Sequence, residues 1–331
     1  MSDFWQDRPV LVTGAGGFIA SHLVETLASR GAKVRAFVRY NSRGDAGLLN
    51  RLPDALRGKV EIIAGDLRDL PAMQQAAAGV DTIFHLGALI AIPYSYLHPA
   101  EVVETNVIGT LNMLLAARQN GVRRLVHTST SEVYGTALRV PISEDHPLQG
   151  QSPYSASKIG ADKLAESFYC AYDLPVVTIR PFNTYGPRQS ARAVIPTIIT
   201  QVLAGHELRL GSLTTRRDFT YVSDTVAGFL CGAAVDGVEG HTFNLGVGSE
   251  ITIGELVQLV FRITGRTLPV VEEAQRLRPG KSEVLRLLSD NSRARQVLGW
   301  QPGVSFEEGL THTIDWIRAN LAAFQPGIYQ R

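Results

Sequence analysis

Tyr154 and Lys158 stand four residues apart, and Thr130-Ser131-Glu132 precedes them in the chain. A four-residue spacing puts the tyrosine and the lysine on one face of a helix. An ammonium beside a phenol favours the phenolate, so Tyr154 is a candidate base for the hydroxyl of a sugar or another alcohol. If a hydride leaves the same carbon, that carbon becomes a ketone. A ketone acidifies the neighbouring C–H, and a carboxylate such as Glu132 is the kind of group that removes such a proton. The tyrosine and lysine therefore predict oxidation of an alcohol, and the carboxylate predicts a second step on the product.

A hydride needs an acceptor, and the N-terminus offers a place for one. Val10-Leu11-Val12-Thr13 reads as a strand, and Phe18-Ile19-Ala20 opens a helix. Between them lies Gly14-Ala15-Gly16-Gly17, spaced Gly14-x-x-Gly17-x-x-Ala20. Glycines let the backbone turn tightly and approach a pyrophosphate, whose charge meets the helix N-terminus. The spacing differs by one residue from the standard dinucleotide fingerprint, and alanine takes the last small position. After the second strand the chain runs Arg39-Tyr40-Asn41-Ser42-Arg43, without the acid that usually holds the ribose hydroxyls of NAD. Arg39, Ser42 and Arg43 suit a 2′-phosphate, which favours NADP, with NAD as the alternative. Asp66-Leu67 follows the third strand and either meets the adenine or caps the next helix.

These residues need a scaffold, and apolar runs alternate with helical patterns along the first half. Strands are expected at 10–13, 34–38, 60–64, 82–86, 125–129 and 176–180, with helices at 17–30, 101–119 and 155–172. Such alternation implies a Rossmann-type α/β fold, a doubly wound parallel sheet covered by helices on both faces. After Pro181 the pattern loosens into a smaller mixed cap, with helices at 194–204, 225–234, 253–264, 292–298 and 305–321. Ser305 and Glu308 are spaced as a capping box. The expected division is 1–181, with interleaved later segments, for the dinucleotide and 182–331 mainly for a substrate.

The bulk numbers exclude several classes. The chain has 331 residues, a net charge of +1 and 45% hydrophobic residues. That charge gives no strong pull toward nucleic acid or an anionic membrane. No run is long and apolar enough to span a bilayer, and Met1 to Arg8 lacks a signal-peptide core. Cys170 and Cys231 lack metal-ligand spacing and are expected to be buried and reduced, as in a cytoplasmic protein. The histidines, His85 and His127 among them, also lack metal spacing, so no metal is expected.

Many ordered segments together resemble one family. They are Gly14–Ala20, Asp66-Leu67, His85-Leu86-Gly87-Ala88, Asn106 with Gly109, Thr130–Gly135 and Tyr154–Lys158. The series continues with Arg180-Pro181-Phe182-Asn183, Tyr185-Gly186-Pro187-Arg188, Arg217–Val222, Arg278-Pro279-Gly280 and Leu298-Gly299-Trp300. The chain resembles the extended short-chain dehydrogenase/reductase family, specifically its nucleotide-sugar epimerases and dehydratases. Thr130-Ser131-Glu132 is similar to the dehydratase pattern, as in GDP-mannose 4,6-dehydratases. Ala91–Tyr96, Gly150–Tyr154 and Pro187–Pro196 resemble the legionaminic-acid type of nucleotide-linked N-acetylglucosamine 4,6-dehydratase.

The resemblance implies a reaction, a cofactor site and a substrate site. Tyr154 would take the C4 hydroxyl proton as hydride leaves C4 for the cofactor, with Thr130 bonded to the same oxygen. Glu132 would take the C5 proton, the C6 hydroxyl would leave as water, and the hydride would return to C6. Dehydratases with Asp beside the Glu use that Asp as proton donor; Ser131 is a poor acid, so Glu132 or a water on Ser131 must act instead. The cofactor would meet Gly14, Gly16, Gly17, Phe18, Ile19, Arg39, Ser42, Arg43, Asp66, Leu67, Leu86, Ala88 and Asn106, besides Tyr154 and Lys158. The nucleotide sugar would meet Tyr94, Asn183, Arg188, Val194, Ile195, Arg217 and Arg278, the last two at the diphosphate. Relatives pair helices like 101–119 and 155–172, so a homodimer through a four-helix bundle is implied, in a cytoplasmic enzyme of cell-surface polysaccharide synthesis. A C4 epimerase needs no C5 base, and a variant that stops at the 5,6-ene uses the same residues. A non-catalytic dinucleotide sensor would tend to lose the Tyr154/Lys158 pair, which this chain keeps.

Overall fold

The computed structural model describes residues 4–327. The first three residues of the polar N-terminal stretch lie outside them. Seven parallel strands form the central sheet: β1 (Pro9–Thr13), β2 (Lys33–Arg39), β3 (Val60–Gly65), β4 (Thr82–His85), β5 (Arg124–Thr128), β6 (Val176–Pro181) and β7 (Thr242–Leu245). Their order is β3-β2-β1-β4-β5-β6-β7, a Rossmann-like sheet that starts at β1 and grows outward both ways. The register aligns Thr13, His85, His127, Thr178 and Thr242 in one row across five strands. That row runs from the glycine turn to the far edge of the sheet.

Period-two alternation sends successive side chains to opposite faces. Val10, Val12, Phe84 and Val126 pack against α1 (Phe18–Ser29) and against the helix Val222–Ala234. Leu11, Ile83, Leu125 and Val176 pack on the other face with α2 (Leu70–Ala77), α3 (Gly109–Gln119) and α4 (Pro153–Tyr172). A fully buried Val, Leu or Ile contributes about 1.5–3 kcal/mol, so these two apolar layers hold the helices to the sheet. The cap packs α5 (Val194–Ala204), α7 (Ile253–Thr264) and α8 (Phe306–Ala319) around Ile198, Ile199, Leu256, Val260 and Leu310. Between α5 and β7, α6 (Val222–Ala234) returns the chain to the sheet.

Several local outcomes differ from the sequence reading. β7 has no place among the six expected strands, because its run is only four residues and holds the polar Asn244. Helix 101–119 is broken into Pro99–Val103, a π-helical turn at Glu104–Ile108, and α3. Ser305 does cap α8 through the Glu308 N–H, but Glu308 does not return the bond. Reciprocal capping boxes occur instead at Ser152/Ser155 and Thr252/Glu255. Cys231 is buried as expected, whereas Cys170 lies exposed on α4.

Candidate active site

The glycine turn has the geometry of an anion cradle. Gly14 has φ +66°, and a Cβ there would stand 2.7 Å from the Gly87 Cα. No side chain caps α1 at Gly17, which leaves the amides of Phe18 and Ile19 for an anion. Beside the turn lies a cavity of about 120 Å³ lined by Gly14, Arg39, Asp66, Leu67 and Ala88. The residues present thus fit a dinucleotide: a close glycine, a bare helix N-terminus and an apolar slot. Arg39 is two-thirds exposed and pairs with Glu101 at 3.4 Å, while Asp66 pairs with Arg68 at 2.7 Å. The loop after β2 folds back on Gly16, where Leu48 N–H donates to the Gly16 carbonyl at 3.0 Å. Ser42 and Arg43 lie exposed on that loop.

A polar chain connects this turn to the catalytic helix. Gly87 N–H donates to Thr13 Oγ1 (3.1 Å), which in turn meets His85 Nδ1 at 2.8 Å. His85 Nε2 meets Thr110 Oγ1 at 3.2 Å, and that hydroxyl donates to the Asn106 carbonyl at 2.7 Å. The Thr110 proton is thereby spent, so His85 must donate from Nε2 and accept at Nδ1. Burial, with His127 and Lys158 nearby, holds His85 well below its ordinary value and keeps it neutral. Asn106 is presented by the π turn, an irregularity common at functional sites. Its amide brackets the Leu89 backbone (2.7 and 2.9 Å) and donates to Ser157 Oγ at 2.9 Å. Leu86 lies half-buried on the strand end between these groups.

The Ser152/Ser155 box and Pro153 in the first turn start α4 just ahead of Tyr154. Tyr154 and Lys158 are both buried. Burial raises the Tyr154 phenol above its ordinary value; Thr130 pulls it down, and Glu132 and Asp162 push it further up. The Lys158 ammonium donates to the Thr128 carbonyl at 2.6 Å. Burial brings Lys158 down to about 8, with Asp162 resisting.

Thr130 caps the turn Ser131–Tyr134, accepting from the Glu132 N–H at 3.2 Å. Ser131 is buried. The Glu132 carboxylate faces outward to Arg278, with 3.5 Å between Oε2 and Nη1. Arg217 lies close enough to feel Glu132 and Arg278, and contacts Glu283 at 3.6 Å. Asn183 donates to the Asp218 carbonyl at 3.2 Å, beside Arg217. Tyr154, Glu132 and the two arginines therefore cluster together beyond the C-terminal ends of β5 and β6.

Four of the expected substrate residues sit apart from that cluster. Arg188 has φ +70° and reaches across to Glu25 and Ser21 on α1. Ile195 is buried inside the cap core, with Val194 at its edge. Tyr94 donates to Glu101, the carboxylate that also holds Arg39. It is Tyr96 that reaches the Arg278 segment, through Ser282 Oγ at 2.6 Å. Glu101, Glu283, Asp162 and Arg180 are site neighbours that sequence reasoning gave no role. Only Asp162 carried a readable signal, being four residues beyond Lys158 on the same helix face. Among the described residues no cluster of three His, Cys, Asp or Glu is placed to hold a metal, and no helix is long and apolar enough to cross a membrane.

A dinucleotide cradle on a parallel sheet, with a buried tyrosine and lysine at its edge, defines a nicotinamide-dependent oxidoreductase-type site. The family model described as GDP-mannose 4,6 dehydratase matches residues 11–313. A dTDP-glucose 4,6-dehydratase of Streptomyces antibioticus is 34% identical, over 96% of this chain and 94% of its own. A UDP-glucose 4-epimerase of Mycolicibacterium smegmatis is 35% identical, over 93% of this chain and 98% of its own. The crystal structure of the dTDP-glucose 4,6-dehydratase DesIV of Streptomyces venezuelae, with NAD bound, superposes with a TM-score of 0.86 at 32% identity, covering 96% of this chain and 99% of that one. The chain belongs to the short-chain dehydrogenase/reductase family of NAD-dependent nucleotide-sugar epimerases and dehydratases, and it is an enzyme of the dehydratase type.

Proposed function

We propose that the protein is a nucleotide-sugar 4,6-dehydratase that converts an NDP-hexose to its 4-keto-6-deoxy product, with UDP- or GDP-N-acetylglucosamine as the substrate. The carrying observation is Glu132, set between the buried Tyr154 and the arginines Arg278 and Arg217. A nicotinamide dinucleotide, when bound, supplies the acceptor and donor of the hydride. Tyr154 takes the C4 hydroxyl proton, and Thr130 orients that oxygen. Glu132 takes the C5 proton made acidic by the new ketone. Ser131 is a poor acid, so Glu132, once protonated, hands the proton to the departing C6 hydroxyl. Arg217 and Arg278 hold the diphosphate, for which a guanidinium fork is suited.

Two finer readings belong here. The chain places no acid in Arg39–Arg43 at the end of β2, and Arg39 with Arg43 supports NADP; the NAD-bound relative supports NAD instead. Val103, Ile108, Tyr169 and Tyr172 are exposed apolar residues on the helices expected to pair, which supports a homodimer. The C4-epimerase reading is favoured by the 35% identical epimerase relative. Product mass separates the two reactions. Purified enzyme given UDP- and GDP-N-acetylglucosamine, with dTDP-glucose as a third substrate, should release a product lighter by one water. A product of unchanged mass supports the epimerase, and no conversion of any of the three sinks the dehydratase reading.

A further inference from the structure

One buried group near the catalytic pair has no part in the reaction so far. Asp162 lies one turn beyond Lys158 on α4 and is 4% exposed. Its Oδ1 accepts from His127 Nε2 at 3.0 Å, and its Oδ2 from Ser129 Oγ at 2.7 Å. Oδ2 also accepts from Arg180, through Nη2 at 3.0 Å and Nε at 3.3 Å. These donors come from β5, the segment just after it, and β6, so the carboxylate is fixed from three sides. A carboxylate fed by so many donors is a permanent anion. Burial alone would raise it, but His127, Arg180 and Lys158 hold it down to about 2.

A buried ammonium tends to lose its proton unless an opposite charge stays near. Lys158 stands one turn from both Tyr154 and Asp162 on the same face of α4, with His85 from β4 and His127 from β5 close enough to feel its charge. His85 and His127 are both pushed toward the neutral form, chiefly by burial. Asp162 is the one carboxylate among these neighbours. We propose that Asp162 is a positioning residue of the reaction, a fixed counter-charge that keeps Lys158 in its ammonium form beside Tyr154. It never receives a proton during turnover; it acts through Lys158.

A large cavity bears on the test. About 590 Å³ of space lies behind α4, lined by Asp162, Thr178, Arg180, His241 and Arg293 among others. A carboxylate removed from Asp162 thus leaves a gap that a small anion can reach.

The test has an arm that needs neither cofactor nor substrate. Lys158 has a folded value of about 8, below its ordinary value of about 10.4. Between those values the unfolded chain binds the extra proton, so stability rises with pH as Lys158 discharges in the fold. In Asp162→Asn the Tm of the protein should begin that rise at lower pH, by about one unit or more. Tyr134→Phe, which cuts the bond from Arg180 to the Tyr134 hydroxyl and leaves the charge, should keep the wild-type curve.

The second arm rests on the dehydratase reading. Activity should fall on the alkaline side as Lys158 discharges, and that limb should move to lower pH in Asp162→Asn but not in Tyr134→Phe. If the asparagine variant does not fold, Asp162→Ala purified in formate keeps the test, with formate expected to return the limb toward wild type. Uniform loss of activity at every pH, with an unmoved Tm curve, overturns the proposal, as does a limb that moves in Tyr134→Phe. A wild-type protein inactive on every nucleotide sugar sinks the dehydratase reading instead, and the Tm arm still decides the role of Asp162.

Discussion

Two sets of charges lie near the catalytic pair, one buried under α4 and one beside Glu132, and they are built differently. Around Asp162 the contacts are short and several per group, and the carboxylate and Arg180 are both almost wholly buried. At the rim, Arg278–Glu132 and Arg217–Glu283 are single contacts of 3.5 and 3.6 Å. Removing one partner of a buried pair leaves an unmatched charge at a cost of about 3–5 kcal/mol. A loose, partly exposed pair such as Arg278–Glu132 is worth about 0–1 kcal/mol, so Arg278 can trade a carboxylate for a diphosphate at little cost. The inner set fixes where the catalytic side chains stand. The outer set is exchangeable, and Glu132 belongs to both: its backbone is held by the Thr130 turn, and its carboxylate meets the rim.

The largest break in that contrast should come from the inner side. Tyr154→Phe removes the hydroxyl that bonds Thr130, so the first oxidation should fall by about 10²–10⁴-fold. Stopped-flow absorbance of the reduced nicotinamide after mixing with nucleotide sugar reads that step directly. A burst of wild-type size would refute the base role.

Glu132→Gln separates the two sets at the residue they share. Glutamine keeps the turn and cannot take the C5 proton. Reduced cofactor should therefore still form, while water loss falls by about 10²–10⁴-fold. Exchange of the C5 hydrogen with deuterated solvent should stop together with water loss. Exchange that continues at the wild-type rate counts against the assignment.

The same contrast explains what could be read from the chain. The glycine turn, the Tyr154/Lys158 spacing and the β-α alternation are local patterns, and each reports itself within a few residues. Asp162 was half-legible, since its spacing from Lys158 was visible but Arg180, His127 and Ser129 come from other segments. Glu101 and Glu283 gave no signal at all, because each is one acid among many until folding sets it against Arg39 or Arg217. Arg188 shows the opposite failure. Its motif was clear, yet its guanidinium turns to Glu25 and Ser21 on the cofactor helix. Motif position fixed the backbone path there, and side-chain pairing decided the direction.

Breaking the rim should act on binding more than on chemistry. A hydrogen bond to a charged group is worth about 1.5–3 kcal/mol, so Arg278→Ala should raise KM for the nucleotide sugar by roughly 10–150-fold. Arg217 is the more buried of the two arginines, and burial lowers its value with Glu132 and Glu283 opposing. Its alanine variant should show the same rise in KM together with a lower Tm, because it leaves Glu283 without that partner. Steady-state kinetics and thermal melts on the two variants check this. An Arg278→Ala enzyme with wild-type KM and reduced kcat would move Arg278 from the diphosphate to the reacting end of the sugar.

The smallest effect is expected at the outermost pair. Arg39 is the residue on which NADP selection would rest, and it is two-thirds exposed with Glu101 at 3.4 Å. Solvent screens a charge in that position, and Glu101 repels the same 2′-phosphate that Arg39 would attract. Arg39→Ala should therefore weaken NADP binding by only a few-fold, about 1 kcal/mol or less, and leave NAD binding unchanged. Glu101→Gln should do the reverse, tightening NADP by a similar factor. Calorimetric titration of each variant with both dinucleotides measures the four constants. If NADP affinity drops tenfold or more in Arg39→Ala, the guanidinium must leave Glu101 and close on the phosphate, and Arg39 then joins Arg278 among the exchangeable groups.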